Sequence, residues 1–561
     1  MYRDPPRVST RSAAAWAGLL ALGATLRLWQ FGADASQWVD ELALSRSIVE
    51  LSPAALLSGP LPFGQVAPPG FLLLEKAAVA LAGAGDYALR LLPLAASLIA
   101  LVLFLRLAVR LLVRPAAIAF ALALFALQPE LVRYAAQVKP YAGDLAAALA
   151  LTLLAGSLFG TPPPPAPWLA LQVGVAGVVA VFLSHAAVLV LAGLALGLLL
   201  SALLVRRRRA LAASAAAISL WAVGGGAALL LATRAMTPRM HAYLYHFWAP
   251  SFAPWPHSVA GDARWAVAAI SGEIGAAGLG YRWPAFYAGL AVLGMVALWR
   301  RRRALSPLLL GPGAVALGAA GLGLYPFASR LVLFIVPALI LAIAAGAETL
   351  ALALVRRILQ RGRAGLAAAT GAVVYLAALW PALAGFGADA PVYRVEETRP
   401  ILGAVAARRQ PGDAIYVYYG AGQALSFYGP RYGLAPGSYQ LGGCHRGDTR
   451  AYLHELDRFR GRPRLWVLIS HAQPRFAERD ALLAYLDHLG TRRLALRSGP
   501  HGRAFGLPAE AFLYDLSTAP RLSGDIAASF PIPPAPNPPD PRFACFGAAN
   551  SVPETPLAAR R

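Results

Sequence analysis

The residues of this chain that could do chemistry are few, and they lie in short polar segments between long apolar ones. The first such segment, Trp38-Val39-Asp40-Glu41, places two adjacent carboxylates shortly after an apolar stretch. Adjacent carboxylates are suited to general-base catalysis or to the binding of a divalent metal. They are also typical of a helix N-terminus, where acidic side chains interact favourably with the helix dipole. On their own, Asp40 and Glu41 leave both interpretations open.

A second polar segment, residues 133–144, combines cations with tyrosines and an acid. Its polar side chains include Arg133, Lys139, Tyr141 and Asp144. Two cations beside hydrogen-bonding side chains could hold a phosphate group. Anchoring at the membrane surface by Lys, Arg and Tyr explains the same composition.

Further ionisable side chains lie at the ends of apolar segments, where they are costly near lipid unless they serve a site or reach water. Taken singly, His185 is typical of a hydrogen-bonded helix end, and Arg330 is typical of a side chain that snorkels to the interface. Seven polar residues from distant parts of the sequence nevertheless map to one face of the membrane, which predicts a polar cavity opening there. They are Asp40, Gln65, Arg90, Lys139, Asp144, His185 and Arg330.

Long apolar segments must position these residues. The chain has 561 residues, of which 58% are hydrophobic and only 14% charged, whereas soluble proteins carry about a quarter charged residues. This composition excludes a cytosolic globular protein, a disordered chain, a collagen-like chain and a disulfide scaffold. Since a membrane helix needs about 20 apolar residues, we predict about eleven spans. They fall near 13–31, 88–109, 115–132, 140–160, 168–184, 186–205, 210–232, 284–299, 305–325, 331–350 and 364–386.

Two more apolar segments are weaker candidates for spans. Residues 67–83 contain Glu75 and Lys76 and open with a Pro-Pro-Gly sequence. This pattern predicts an interfacial helix that lies on the membrane rather than one that crosses it. Residues 263–280 are a second doubtful span.

The basic residues predict the orientation of the chain. Of the formal net charge of +23, most comes from 18 basic residues that fall on one face of the membrane with only two acids. By the positive-inside rule this face is cytoplasmic, and so is the N-terminus. An odd number of spans then places the C-terminal part outside the cytoplasm, in a protein of the cell (inner) membrane. No basic stripe with interleaved aromatic residues is present, so a nucleic-acid partner is not expected.

We predict two domains, a membrane domain over 1–387 with long outer loops at 32–87 and 233–283, and an α/β domain over 388–561 with a Pro-rich tail. Apolar runs at 415–419, 465–470 and 512–516 are typical of strands. Segments 393–409, 449–460 and 475–489 have a helical pattern.

The only two cysteines, Cys444 and Cys545, both fall in this second domain. In an oxidising compartment they are expected to form a disulfide. Two buried free thiols are the alternative.

The order of the motifs resembles a known family. An Asp-Glu pair in the first outer loop is followed by a Pro-Pro interfacial helix, and then by Gly85-Asp86-Tyr87 at the start of the second span. This order is similar to that of the GT-C superfamily of glycosyltransferases that use polyprenyl-phosphate sugars. The branch of protein O-mannosyltransferases and aminoarabinose transferases (glycosyltransferase family 39) is the most similar. The resemblance covers roughly residues 13–350, and its short motifs are specific through their order.

The resemblance implies an α-helical polytopic GT-C-like fold and a role for each polar residue. Asp40 would be the catalytic base, with Glu41 beside it. Lys139, Arg90 and Arg330 would hold the donor phosphate, and the remaining substrate-binding candidates are Gln65, Tyr141, Asp144 and His185. A divalent metal at Asp40 and Glu41 stays open, since relatives include both cases. The chain departs from the branch at Ala67-Pro68-Pro69, where a lysine commonly precedes the two prolines.

The expected reaction is a single displacement at the anomeric carbon, which inverts its configuration and expels polyprenyl phosphate. A transporter or flippase of lipid-linked sugars is the main alternative, although alternating access generally needs polar sites near the membrane midplane. A receptor or scaffold would leave the polar residues from Asp40 to Asp144 unexplained. The identity of the sugar and of the acceptor (glycan, lipid or protein) does not follow from the sequence.

Overall fold

The chain folds as two compact units. The computed structural model describes residues 9–159, 166–206, 208–275, 282–387, 392–500, 506–518, 526–536, 539–540 and 542–545. The first unit, called the membrane unit here, comprises Met1–Ala33, Ala67–Leu81 and Tyr87–Pro391. The second, called the α/β unit, comprises Asp34–Val66, Ala82–Asp86 and Val392–Arg561. The chain passes from the membrane unit to the α/β unit between Pro391 and Val392, and most of the first long loop belongs to the α/β unit.

The membrane unit has a helix in each of the eleven predicted ranges. These helices are Thr10–Gly32, Asp86–Leu111, Pro115–Leu127, Tyr141–Ser157, Ala166–Leu183, Ala187–Val205, Arg208–Arg234, Pro284–Arg301, Ser306–Gly321, Val336–Leu359 and Ala364–Gly387. Among the described residues, four helical segments are each long and apolar enough to cross a membrane. A pair of helices bent by 56° at residue 128 would be a fifth span if the two helices cross together. Shorter apolar helices accompany them. The chain is therefore a multi-pass membrane protein.

Shorter helices lie between the apolar ones. A helix forms at Pro69–Ala82, where the interfacial helix was predicted, and its Gly70 lies so close to the helix before Ser184 that a Cβ would be 2.7 Å from the Phe182 carbonyl oxygen. The doubtful span at 263–280 is a helix only over Val259–Ile274, and residues 276–281 lie outside the described part. The remaining short helices of this unit are Pro129–Arg133 and Pro238–Phe247.

Small residues let the membrane helices approach each other backbone to backbone. A Cβ on Gly294 would collide with the carbonyl oxygen of Ala342, and one on Gly346 would collide with that of Leu290. Gly193 lies against the backbone of Pro312 in the same way. Since apolar side chains gain little from leaving lipid, such close packing is a main source of helix association in membranes.

The α/β unit is built on a five-stranded mixed sheet. Its strands are β1 Ala414–Val417, β2 Gln440–Leu441, β3 Leu465–Ile469, β4 Thr491–Ser498 and β5 Ala509–Asp515, in the spatial order β2-β1-β3-β5-β4. β1 is parallel to both β2 and β3, whereas β5 pairs antiparallel with β3 and β4. The helices are Val39–Glu50, Pro53–Leu57, Thr398–Arg408, Gly422–Tyr428, Thr449–Asp457, Glu478–Leu489 and Ile526–Ser529.

The predicted α/β character is confirmed, with strands at all three predicted apolar runs. β2 and β4 were not predicted, because β2 has two residues and β4 is an edge strand whose exposed arginines break the apolar pattern. Cys444 and Cys545 are joined by a disulfide, with their Cα atoms 5.7 Å apart. Residues 531–536 of the Pro-rich tail form neither helix nor strand.

Candidate functional site

Asp40 and Glu41 lie in the first turn of the helix Val39–Glu50, which packs on the sheet of the α/β unit. Leu42 of this helix is fully buried in the cluster that contains Ile415 of β1 and Leu468 of β3. Glu41 is buried and accepts a hydrogen bond from the Trp38 backbone amide at 3.4 Å. This contact is that of a helix-capping glutamate. Asp40, in contrast, is only half-buried.

The loop before Asp40 is held by the start of the C-terminal segment. The Ser36 backbone amide and hydroxyl donate to the Glu397 carboxylate at 3.1 and 3.4 Å. The Arg399 amide donates to the Ser36 hydroxyl at 3.1 Å, and its guanidinium binds the Asp34 carboxylate at 2.7 Å. These contacts fix the position from which the helix of Asp40 begins.

His471, which sequence reasoning missed, lies beside this region. It follows β3 after Ser470, and its Nδ1 is 2.6 Å from a carboxylate oxygen of Glu396. Burial favours the neutral imidazole, but the negative charges of Glu396 and Asp40 outweigh it and raise the pKa of His471 above its usual value, while Arg446 opposes them. A histidine at the carboxyl end of a parallel strand was a usable signal, because ligands of open α/β sheets bind at that edge.

Asp86, from the Gly85-Asp86-Tyr87 motif, has a structural role in the α/β unit. Its carboxylate accepts from the Gln37 side-chain amide at 2.8 Å and from the Tyr428 hydroxyl at 3.0 Å. Arg399 forms an ion pair with it at 3.0 Å. The acid of this motif therefore holds the loop segment 34–37 and the C-terminal segment in one unit.

In the membrane unit, polar side chains from several segments meet in what is called the cationic cluster below. Its members are Glu130, Arg133, Tyr134, Tyr141, Asp144, Ser184, Tyr325 and Arg330, and the buried Lys139 lies two residues before Tyr141 in the chain. Arg133 pairs with Glu130 and donates to the Tyr134 hydroxyl at 2.7 Å. The Tyr134 ring contacts the Tyr141 ring edge-on, with centroids 5.0 Å apart. Arg330 stacks over Trp248 and repels Arg133 electrostatically.

The acid of the cluster connects it to further helices. Asp144 forms a hydrogen bond with the buried Ser184 hydroxyl, and it interacts electrostatically with Tyr325. Tyr325 in turn donates to the Leu331 carbonyl at 2.9 Å, which holds the segment that carries Arg330. Lys139 is buried directly before the helix Tyr141–Ser157.

Several buried polar atoms in this region have no hydrogen-bond partner among the described residues. They are the Arg133 Nε, the side-chain oxygen of Gln137 and one carboxylate oxygen of Asp144. Because buried polar groups are almost always hydrogen-bonded, this pattern favours a site that a polar ligand completes.

The other predicted site residues are distributed over both units. Arg90 is buried near the start of the helix Asp86–Leu111, and the partly buried His185 follows Ser184. Gln65 belongs to the α/β unit, where its side-chain amide donates to the Phe63 carbonyl at 3.4 Å. The structure therefore brings together Tyr141, Asp144 and Arg330, with Lys139 two residues before Tyr141 in the chain.

The sequence leaves open a divalent metal at Asp40 and Glu41. In the part of the chain that the structure describes, no group of three or more His, Cys, Asp or Glu side chains is placed to hold a metal ion. One of the two candidate carboxylates, that of Glu41, faces the amide of its own helix.

Comparisons with known proteins give several similar solved structures, among them two of the same protein. No family model matches the chain, and no curated protein matches its sequence. The structure of ArnT from Cupriavidus metallidurans in the apo state is 16% identical in sequence to this chain, with a TM-score of 0.45. The match covers 91% of this chain and 100% of that chain. The structure of the same protein bound to undecaprenyl phosphate is 14% identical to this chain, with a TM-score of 0.43. That match covers 91% of this chain and 99% of that chain. Likeness at this level does not by itself assign an activity.

Proposed function

We propose that this protein is a GT-C-like membrane glycosyltransferase that moves a sugar from a polyprenyl-phosphate donor to an acceptor on the extracytoplasmic face. The observation that carries the proposal is the cationic cluster, where buried cations and unsatisfied polar atoms meet at one end of apolar helices. The motif order from Asp40 to Arg90 supports the same family. The nature of the sugar, hexose or pentose, is left open.

The cluster suits a lipid-linked phosphate. Arg133 and Arg330 repel each other, so an anion between them would be stabilised by charge-assisted hydrogen bonds. Lys139 supplies a further charge in the same region, and a polyprenyl chain would lie among the neighbouring apolar helices. As the bond from the anomeric carbon to the phosphate breaks, negative charge develops on the leaving phosphate, and fixed cations stabilise that charge most in the transition state.

Asp40 is the proposed base. In the single displacement, the acceptor hydroxyl attacks the anomeric carbon while its proton passes to the Asp40 carboxylate, and polyprenyl phosphate leaves with the bonding electrons. The configuration at that carbon is inverted. Asp40 is only half-buried, which leaves its carboxylate accessible to an acceptor. Glu41 instead caps its own helix. A direct catalytic role for Glu41 stays a prediction.

The proposed orientation has two supports. The arginine-rich ends of the apolar segments favour a cytoplasmic location for that face and for the N-terminus. The disulfide of the α/β unit favours an oxidising compartment. Together they support an inner-membrane protein whose α/β unit is extracytoplasmic.

The test is sugar transfer by the purified full-length protein in lipid nanodiscs, supplied with a panel of radiolabelled undecaprenyl-phosphate sugars and membrane extracts as acceptors. Asp40→Asn is expected to abolish transfer while retaining the thermal unfolding midpoint and the binding of undecaprenyl phosphate, the lipid bound in the second similar structure. Asp480→Asn, which changes a 76% exposed acid of the same unit, is the matched control and should transfer normally.

Wild-type activity in Asp40→Asn would remove Asp40 as the base. If the protein moved labelled lipid across a bilayer without transferring its sugar, the flippase alternative would replace the proposal.

A further inference from the structure

Two adjacent glutamates connect the Asp40 loop with His471. Glu397 accepts from the amide and hydroxyl of Ser36, four residues before Asp40. Glu396 is 3% exposed at its side chain and binds His471 at 2.6 Å. The helix of Asp40 packs against the helix Gly422–Tyr428, which follows β1, and its Arg46 donates to Gln423 at 2.7 Å. All of these contacts lie within the α/β unit.

The backbone of His471 has a conformation that is uncommon for a residue with a side chain. His471 comes directly after β3, at the same sheet edge as the carboxyl end of the parallel neighbour β1. Its backbone φ is 56°, in the left-handed region that residues with a side chain rarely adopt. Such conformations persist only where the surroundings hold them, and they are common at functional sites. Here the hydrogen bond to Glu396 is a restraint of that kind.

The charged groups that act on His471 come from three segments. Glu396 precedes the helix Thr398–Arg408, Asp40 lies on the helix Val39–Glu50, and Arg446 lies in the loop before the helix Thr449–Asp457. The Arg446 guanidinium is occupied elsewhere, because it donates to the Tyr419 hydroxyl at 2.7 Å and stacks over Phe476. His471 therefore has a carboxylate in direct contact and a second carboxylate nearby.

We infer that His471, held by Glu396, is a positioning residue that places a positive charge near the Asp40 carboxylate. This inference rests on the proposed role of Asp40 as the base. As an imidazolium, His471 lowers the energy of the Asp40 carboxylate and retains its own proton during transfer. The proton of the acceptor hydroxyl goes to Asp40, and the electron pair of the broken bond leaves with the phosphate.

The first experiment measures the coupling without using activity. The full-length protein is labelled with ¹³Cε1-histidine in nanodiscs, the His471 signal is assigned with His471→Asn, and its pKa is followed by NMR. We expect Asp40→Asn and Glu396→Gln each to lower the pKa of His471, by about one pH unit for loss of a nearby opposite charge. Glu455→Gln, which removes the carboxylate 2.9 Å from His445, is the matched control and should move only the His445 signal.

An unchanged His471 pKa in Asp40→Asn overturns the inference. Asn is chosen at position 471 because it tolerates the left-handed region better than most residues, so the variant keeps the backbone while losing the charge.

The second experiment measures the pH profile of kcat/KM for sugar transfer. The wild type should lose activity on the alkaline side as His471 deprotonates, and Glu396→Gln should move that loss to lower pH. His471→Asn should reduce kcat/KM about tenfold, equivalent to one pKa unit of charge stabilisation, and should lack the alkaline limb. His445→Gln should keep the wild-type profile.

A wild-type profile in His471→Asn overturns the inference and leaves the proposed function standing. Absence of transfer by the wild type with every donor overturns the proposed function, and the NMR experiment then decides the coupling alone.

Discussion

Two buried polar clusters of the membrane unit differ in how completely they are hydrogen-bonded. At one end of the helix Tyr141–Ser157, Arg110 donates to the Leu153 carbonyl at 2.9 Å, and nearby Glu348 accepts from the amides of Val113 and Arg114 at 3.1 and 2.7 Å. Arg301 binds the other carboxylate oxygen of Glu348 at 2.6 Å. At the opposite end, the cationic cluster leaves buried polar atoms without a partner among the described residues.

The difference distinguishes charged side chains that are hydrogen-bonded within the protein from those that, under the proposed function, a ligand would complete. Arg27 makes the same point, because it is fully buried yet donates to the Ser97 hydroxyl at 2.8 Å and to the Gly23 carbonyl at 2.9 Å, with further contacts to Phe125 and Ala126. Its guanidinium is satisfied by the protein. In the sequence, Arg27 and Arg133 are both arginines beside apolar segments. Only their hydrogen-bond partners in the structure distinguish them.

The largest effect on stability is expected in the hydrogen-bonded cluster around Glu348. Glu348→Ala leaves Arg301, whose side chain is 32% exposed, and two backbone amides without their acceptor. Each amide left without a partner costs about 1–3 kcal/mol. We expect a clear fall in the thermal unfolding midpoint in nanodiscs, with little change in transfer activity per folded molecule. Glu348→Gln, which keeps an acceptor, should lose less. A midpoint that does not move would contradict the structural role of this cluster.

An intermediate effect is expected at Lys139, two residues before Tyr141 of the cationic cluster. Lys139→Ala removes a buried positive charge, and losing one such stabilising group typically costs about 10²–10³-fold in rate. We expect kcat/KM for the lipid donor to fall by that order while the unfolding midpoint stays within error. The only other lysine of the chain, Lys76, supplies the control, since Lys76→Ala should leave both quantities unchanged. Equal losses in the two variants would exclude a specific phosphate contact.

The smallest effect is expected at Gln137, whose side-chain oxygen is buried without a partner among the described residues. Gln137→Met removes this polar atom at similar volume, so we expect stability to rise by about 1 kcal/mol and the donor KM to rise with it. Gln30→Met is the matched variant at a buried glutamine that has a partner, and it should lower stability. A Gln137 variant that is less stable would show that this atom is satisfied in the free protein.

The sequence predicts those parts of the structure that depend on local patterns. Each predicted span coincides with a helix because an apolar run of about 20 residues has few alternatives, and β1, β3 and β5 follow from buried apolar runs. The association of residues 34–66 with the α/β unit was not predictable, because it depends on side chains such as Leu42 filling a distant core. Glu396 and His471 are 75 residues apart in sequence, so only the fold pairs them.

The disulfide has a consequence for the biogenesis of the protein. Cys444 and Cys545 are 101 residues apart, and the loop that they close contains β3, β4 and β5. Under the proposed orientation, the bond forms only after both cysteines have left the cytoplasm. Closing a loop of this length stabilises a domain by about 4.7 kcal/mol in the chain-entropy model. Production in a host that leaves the α/β unit in a reducing compartment should yield inserted helices with a loosened sheet.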